Sequence, residues 1–300
     1  MEKTTCLIKA AELIRSGELV AFPTETVYGL GANALDPQAI EKIYAAKGRP
    51  ASSPLIVHVA SIEMARSLVR EWLERAEKLA AKFWPGPLTL VLPKLPHVPD
   101  RLTAGLPTVG IRMPAHPVAQ ALIREAGVPI AAPSANPFTA LSPTTAQHVR
   151  DSLGDRVALV LDGGPSQVGI ESTVLSLAGS DAVLLRPGMV TRREIEDVIG
   201  PIQLLDHAPT GSHASPGLHA RHYSPRTPLI LLEPGEAPPS GRGIRLKMPS
   251  DPREYAAALY DRLHQADSES WDWIAVEQPP PGEEWTAIRD RLERASTRGN

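Results

Sequence analysis

The chain is poor in cysteine and in aromatic rings, with one Cys and 4% Phe, Trp and Tyr among 300 residues. A lone thiol, Cys6, excludes an intrachain disulfide and fits a reducing compartment. It falls in the first helical pattern without a thiolate-activating neighbour, so packing accounts for it better than chemistry does. The few aromatics are not interleaved with a basic stripe, which leaves a sheet-surface platform for stacked RNA bases without support. No apolar run reaches about 18 residues, and Met1-Glu2-Lys3-Thr4 leads straight into a helical pattern; neither a membrane span nor a signal peptide is expected. Charge of one sign is lacking too. The balance of 31 Lys+Arg and 34 Asp+Glu is −3, so no global basic field advertises nucleic acid, although a local basic cleft depends on distribution as well as sum. Gly-x-x-x-x-Gly-Lys-Ser/Thr is absent, which removes a Walker-type loop, and without Gly-x-Ser-x-Gly a hydrolase nucleophile elbow is unsupported. What remains is a cytoplasmic protein without membrane contact.

Proline, in contrast, is abundant: 31 residues, about twice the usual ~5%. It punctuates the chain into short elements. At roughly 100–200 residues per domain the length predicts two domains. Thr4 or Thr5 caps a helix carrying Leu7, Ala10, Ala11 and Ile14 and stopping at Gly17; Leu19–Phe22 follows as a buried strand. Asp36-Pro37 opens a helix that ends at Gly48. Further strands are expected at 55–59, 88–92, 109–113, 129–132, 157–161, 173–177 and 182–186. Helices are expected at 61–71, 73–83, 116–126, 143–153 (Ser142 as cap, Pro143 first) and 191–199. The lack of a strict βαβ rhythm predicts an α/β fold with a mixed, twisted open sheet flanked by helices. Residues 206–228 have no core periodicity and are rich in Pro, Gly, Ser and His, as a linker is. Strands 229–232 and 271–276 and helices 252–265 and 284–295 then form a small C-terminal α/β domain. The resulting division is 1–205, 206–228 and 229–300.

Three stretches place polar or cationic side chains beside Gly or Pro at the end of an apolar run, where an α/β sheet presents groups to ligands. They are Phe22 to Gly31 (Phe-Pro-Thr-Glu-Thr-Val-Tyr-Gly-Leu-Gly), Lys47-Gly48-Arg49-Pro50 with the following Ser53 to His58, and Pro133-Ser134-Ala135-Asn136-Pro137. Lys47 and Arg49 read as an anion cradle, a planar fork beside a mobile point charge, or as a solvated helix end whose cations suit the dipole. Ser134 and Asn136, bracketed by prolines, read as groups held in a rigid loop or as an ordinary polar turn. His58 interrupts an apolar strand on the face of Ile56, either as a hydrogen-bonded core histidine or as a ligand group. Arg112, in Val109-Gly110-Ile111-Arg112-Met113, demands an anionic partner from protein or ligand. Gly29-x-Gly31-x-x-Ala34 is only a weak dinucleotide fingerprint, because the next helix starts after it and no acidic residue follows at ribose distance. His213, His219 and His222 lack Cys or acidic residues in register for zinc, so no protein-held metal is expected.

Together these stretches resemble the YrdC-like threonylcarbamoyl-AMP synthases, in their longer two-domain form. Trp84-Pro85-Gly86-Pro87-Leu88-Thr89, Glu171-Ser172-Thr173-Val174 and Arg186-Pro187-Gly188 join the motifs above in the family's order, and Ser215 to Pro225 looks like the family's interdomain segment. The resemblance implies that L-threonine and bicarbonate combine as N-carboxythreonine, which attacks the α-phosphate of ATP to give threonylcarbamoyl-AMP and pyrophosphate. The adenylate then feeds a downstream tRNA threonylcarbamoyl transferase machinery. It also implies that Thr26, His58, Arg112 and Ser172 hold threonine, while Lys47, Arg49, Ser53, Thr108, Ser134, Asn136, Ser142 and Arg186 surround ATP, with Mg2+ carried by the phosphates. Lys47, Arg49, Ser134 and Asn136 stand nearest the chemistry, and Tyr223 closes over the nucleotide as part of a linker lid. A non-enzymatic RNA-binding module for ribosome or tRNA maturation is the competing reading. A relative that adenylates carbamoyl phosphate usually adds zinc-finger and acylphosphatase-like segments, which this chain lacks.

Overall fold

The structure, a computed structural model, describes residues 3–50, 52–205 and 222–296. Most of the expected linker (206–221, with His213 and His219) therefore lies outside the described residues. The first lobe runs α1 (Lys3–Arg15), β1 (Val20–Phe22), β2 (Gly29–Asn33), α2 (Pro37–Lys47), β3 (Ile56–His58), α3 (Ile62–Arg66), α4 (Glu74–Phe83), β4 (Leu88–Pro93), β5 (Thr108–Arg112), α5 (Pro117–Ala126), β6 (Ile130–Ala131), α6 (Ala146–Leu153), β7 (Leu159–Val160), β8 (Thr173–Ser176), β9 (Val183–Arg186), α7 (Arg192–Ile199) and β10 (Gln203–Leu204). The second runs β11 (Leu229–Leu232), β12 (Gly243–Leu246), α8 (Pro252–Asp267), β13 (Trp273–Glu277) and α9 (Thr286–Ala295).

Local chemistry explains where this agrees with the sequence reading and where it departs. Asp36 accepts a hydrogen bond from the Gln38 N–H and Pro37 opens α2, which ends at Gly48 with φ of 60°. Thr4 and Thr5 lie inside α1 instead of capping it. The helix expected from 61 stops at Arg66. The one expected from Pro143 begins only at Ala146, capped by Thr145. Ser142 is not a cap: its hydroxyl is bonded to Glu171, and the Pro143 carbonyl accepts the Tyr28 N–H, so both residues are held outside the helix. Strand β2 was not expected from a segment as glycine-rich as Gly-Leu-Gly-Ala-Asn. Glycine is needed there because a Cβ on Gly31 would come within 2.8 Å of the Phe22 ring. The short strands β10 and β12 also escaped the pattern.

Among the described residues ten strands form one sheet in the order β10-β9-β8-β4-β5-β3-β6-β2-β1-β7, with parallel and antiparallel neighbours mixed. One face, carrying Ala21, Leu30, Val57, Leu90, Ile111 and Leu175, packs on residues of α2, α4, α6 and α7 in the main core. On the other face α1 and α5 cover Val20, Phe22, Ile130 and Ala132. The β3–β5 part of that face lies beyond this cluster, and there Ile56, His58 and Arg112 are found. His58 and Arg112 are register partners on parallel strands and so project to the same side.

The second lobe is a parallel sheet, β11-β13-β12, with α8 and α9. Its core of Tyr255, Leu259, Tyr260, Ile274, Ile288 and Leu292 is continuous with Val27, Leu141 and Ile170 of the first lobe. Gly169, with φ of 78°, approaches α8 so closely that a Cβ would meet the Ala256 carbonyl oxygen at 2.4 Å. Nearby, His148 of α6 stacks on His264 of α8 with ring centroids 3.9 Å apart, and His264 Nε2 lies 3.1 Å from the Ser142 carbonyl.

Two outcomes follow from this contact. Gly169→Ala is expected to lower stability by about 2 kcal/mol or more, since both the left-handed backbone and the backbone clash oppose it; thermal melts of wild type and variant measure this. Burial, with His148 adding to it, pushes His264 from its ordinary 6.5 down to about 4. Below about pH 6.5 the unfolded chain takes up a proton that the folded chain refuses until about pH 4. Stability therefore falls as pH drops through that window, by at most about 1.4 kcal/mol per pH unit for this group. Urea titrations are expected to show a shallower slope for His264→Gln.

Candidate active site

The apolar pattern of β3 and β5 places two polar side chains, His58 and Arg112, on the sheet face that α1 and α5 leave to other partners. Loops supply the rest of a cavity over that face. Thr24, Thr26 and Val27 come from the turn after β1, Arg49 from the exit of α2, and Pro133 and Ser134 from the loop after β6. Glu171 and Ser172 precede β8, Arg186 ends β9, and His222 and Tyr223 come from the strap entering the second lobe. The three polar stretches singled out in the sequence therefore meet. They do so against a face of the sheet, with residues inside β3 and β5 contributing, and not only at strand ends.

Four cations converge here, Lys47, Arg49, Arg112 and Arg186, each less than a tenth exposed. Backbone carbonyls solvate much of this charge. Lys47 Nζ donates to the carbonyls of Ser134 and Asn136, joining α2 to the loop after β6. Arg49 donates to the Pro54 carbonyl at 3.1 Å, and its Nε has no partner among the described residues. Arg186 donates to the Ser172 carbonyl at 3.0 Å and to its hydroxyl at 3.2 Å. Burial depresses Lys47 well below the usual lysine range, with Arg49 and Arg156 adding repulsion, and it brings Arg49 down to about 10. A site of this kind favours an anion, which restores what desolvation has taken from the cations.

Arg112 is held differently. Its guanidinium pairs with Glu25 at 2.7 Å, donates to Thr26 Oγ1 at 2.8 Å and to the Gly86 carbonyl at 3.2 Å. The anionic partner that Arg112 demanded is thus a protein carboxylate, with Thr26 beside it. His58 is pushed down to about 3, first by burial and then by Arg112, so it is neutral and offers hydrogen bonds without charge. The Ser172 and Thr89 hydroxyls share a hydrogen bond at 2.8 Å.

Of the expected site residues, Thr26, Arg49, His58, Arg112, Ser134, Ser172, Arg186 and Tyr223 line one cavity. Lys47 and Asn136 are tied to its wall through Ser134; the Asn136 amide nitrogen donates to the carbonyls of Pro137 and Ala140, while its Oδ1 has no partner among the described residues. Ser53 is buried, its carbonyl accepting the Tyr44 hydroxyl, and Ser142 stands behind the wall on Glu171. Thr108 faces a small separate pocket that shares Ile56 with the main one. Tyr223 is buried with a left-handed φ of 61°. Three residues with a hold on the site were missed. Glu25 and Glu171 lie inside the motifs, but nothing in their local spacing marks them as partners of an arginine. Arg291 stands among Ile288, Leu292 and Ala295 on the buried side of α9, and an arginine in such company was the available signal.

Comparison with known proteins agrees with this architecture. Residues 12–188 match the Sua5/YciO/YrdC family model, described as "Telomere recombination", and residues 190–297 match the "Threonylcarbamoyl-AMP synthase, C-terminal domain" model. Threonylcarbamoyl-AMP synthase of Bacillus subtilis is 44% identical over 97% of this chain and 92% of its own length. The synthase of Pyrococcus abyssi is 51% identical over 75% of this chain and 67% of its own length. The crystal structure of P. abyssi Sua5 complexed with L-threonine superposes with a TM-score of 0.92 at 39% identity, covering 99% of this chain and 95% of that one. With both family models matched in succession and relatives similar across nearly the whole length, the chain belongs to the threonylcarbamoyl-AMP synthase family, in its two-domain form.

Proposed function

We propose that this chain is an L-threonylcarbamoyladenylate synthase that makes threonylcarbamoyl-AMP and pyrophosphate from L-threonine, bicarbonate and ATP, for threonylcarbamoyladenosine modification of tRNA next to the anticodon. The observation that carries this is the meeting of Arg49, Arg112 and Arg186 with His58, Ser134, Ser172 and Tyr223 around one cavity. Residues 1–205 are taken as the catalytic domain, 206–228 as a connecting lid and 229–300 as a small supporting domain. Cytoplasmic placement and hand-over to a tRNA threonylcarbamoyl transferase belong to the same proposal, which leaves direct RNA contact open.

In this reading threonine lies in the Arg112 half. Its carboxylate shares the guanidinium already fixed by Glu25, Thr26 and Gly86, while His58 and Ser172 supply uncharged hydrogen bonds. ATP lies in the Lys47, Arg49 and Arg186 half, with Ser134 and Asn136 on the adjoining wall, Ser53 and Ser142 behind it, Thr108 in the neighbouring pocket and Tyr223 above. A carbamate oxygen of N-carboxythreonine bonds to the α-phosphorus as the bond to the pyrophosphate oxygen breaks, and pyrophosphate leaves with the bonding pair. The step needs alignment and neutralisation of growing phosphate charge and no protein nucleophile, which suits a wall of cations and hydroxyls. Among the described residues no cluster of three His, Cys, Asp or Glu side chains forms a metal site, and Glu25 and Glu171 are each paired with an arginine. Mg2+ enters this reading with the ATP phosphates.

Pyrophosphate release from ATP and bicarbonate is expected only when threonine is supplied. No release with any amino acid, alongside tight RNA binding, would favour the RNA-module reading and overturn this one. Arg112→Lys keeps the charge but loses the fork, so the KM for threonine is expected to rise about tenfold while the Kd for ATP, measured without threonine, barely moves. Equal loss for both substrates would contradict the allotment of the two halves.

A further inference from the structure

The cavity has a carboxylate, Glu171, on the side proposed for nucleotide phosphate, where a negative charge works against the ligand. Its surroundings show how that charge is managed. Ser142 Oγ donates to Glu171 Oε1 at 2.6 Å and Tyr260 OH donates to Oε2 at 3.1 Å. Arg291 Nε donates to the same Oε2 at 2.8 Å, and Arg291 Nη2 reaches the Glu171 carbonyl at 3.4 Å. Arg291 is fully buried, pairs also with Asp290 at 2.7 Å, and has its guanidinium 5.3 Å from the centre of the Tyr223 ring. Tyr260 and Arg291 belong to α8 and α9, so the second lobe furnishes the grip on a residue of the first lobe's cavity.

We propose that Arg291 is a positioning residue for nucleotide binding: by holding the Glu171 carboxylate it keeps that charge from neutralising the cations that meet the phosphates. The inference rests on the site reading above and assigns the second lobe a part in it. Burial alone pushes Glu171 upward, but Arg291 and then Arg186 outweigh it and hold the carboxyl below its ordinary range, so the group is charged. Lys47 and Arg186 both feel that charge. Without Arg291 the buried carboxylate is left to turn its attraction on them, in direct competition with phosphate. Arg291 acts through Glu171, and its contact with the Tyr223 ring adds a second hold on the same wall.

The test is ATP binding by the full-length chain, followed by calorimetry with Mg-ATP, and threonine binding by the same method. Arg291→Met is expected to weaken ATP about tenfold and threonine less than about twofold, the effect of one misplaced charge beside the phosphates. Arg291→Lys, which keeps a cation, is expected to stay near wild type. The deciding variant is the double replacement E171Q/R291M, in which no stray carboxylate remains; it is expected to recover most of the lost ATP affinity. A double variant as weak as R291M, or parallel loss of both ligands, would show that Arg291 is only structural support and overturn the proposal. If R291M does not fold, the double variant is compared with wild type directly. ATP affinity within about threefold then supports the proposal, and a folded double variant about tenfold weaker overturns it. Wild type that binds no ATP strikes instead at the site reading, a distinguishable outcome.

Discussion

The rest of the structure depends on keeping four like-signed side chains in a space nearly closed to water. Lys47, Arg49, Arg112 and Arg186 repel one another, and burial penalises each of them. The fold meets this cost largely with backbone. The carbonyls of Ser134, Asn136, Pro54, Gly86 and Ser172 point at the cations and solvate them as water would. A carbonyl is a dipole and not a counter-charge, so it stabilises a cation without cancelling its field. Three arginines and one glutamate line the cavity although the chain as a whole carries −3. That is why composition was silent about the site while the motifs were not.

The carboxylates that hold arginines at the site follow a complementary logic. Glu25 and Glu171 are each bound to an arginine, so neither stands loose among the cations. Glu25 also accepts the Ala115 N–H at 2.9 Å and thereby fixes the loop after β5 against the turn after β1. Buried ion pairs of this kind are weak sources of net stability, but losing one partner is costly, typically about 3–5 kcal/mol. Their service is geometric. One orients the guanidinium proposed to meet threonine, and the other joins the two lobes at the cavity wall.

Much of this was legible in the sequence where the signal was local. The caps of α2, the alternation that put His58 with Ile56, and the irregular rhythm that predicted a mixed sheet all depend on residues within a few positions of one another. The arginine in an apolar strand announced an anionic partner and left open whether protein or ligand supplies it; the fold supplies Glu25. Glu25 lies 87 positions before Arg112, and Glu171 lies 120 before Arg291, so only tertiary folding identifies the pairs. Strand β2 failed the reading because its glycines answer to the Phe22 ring and not to strand propensity. The late start of α6 has the same character: Pro143 looks like a helix opener until its carbonyl is claimed by Tyr28.

The strap around Tyr223 has a mechanical consequence. His222 donates its N–H to the Arg294 carbonyl of the second lobe, and Ser224, two residues on, donates its own to the Thr139 carbonyl of the first. The aromatic ring is thus strung between two anchorages on opposite bodies, like a bead on a short taut cord. Any displacement of one lobe against the other is felt at the lining of the cavity within a single residue, without passing through the sheet at all.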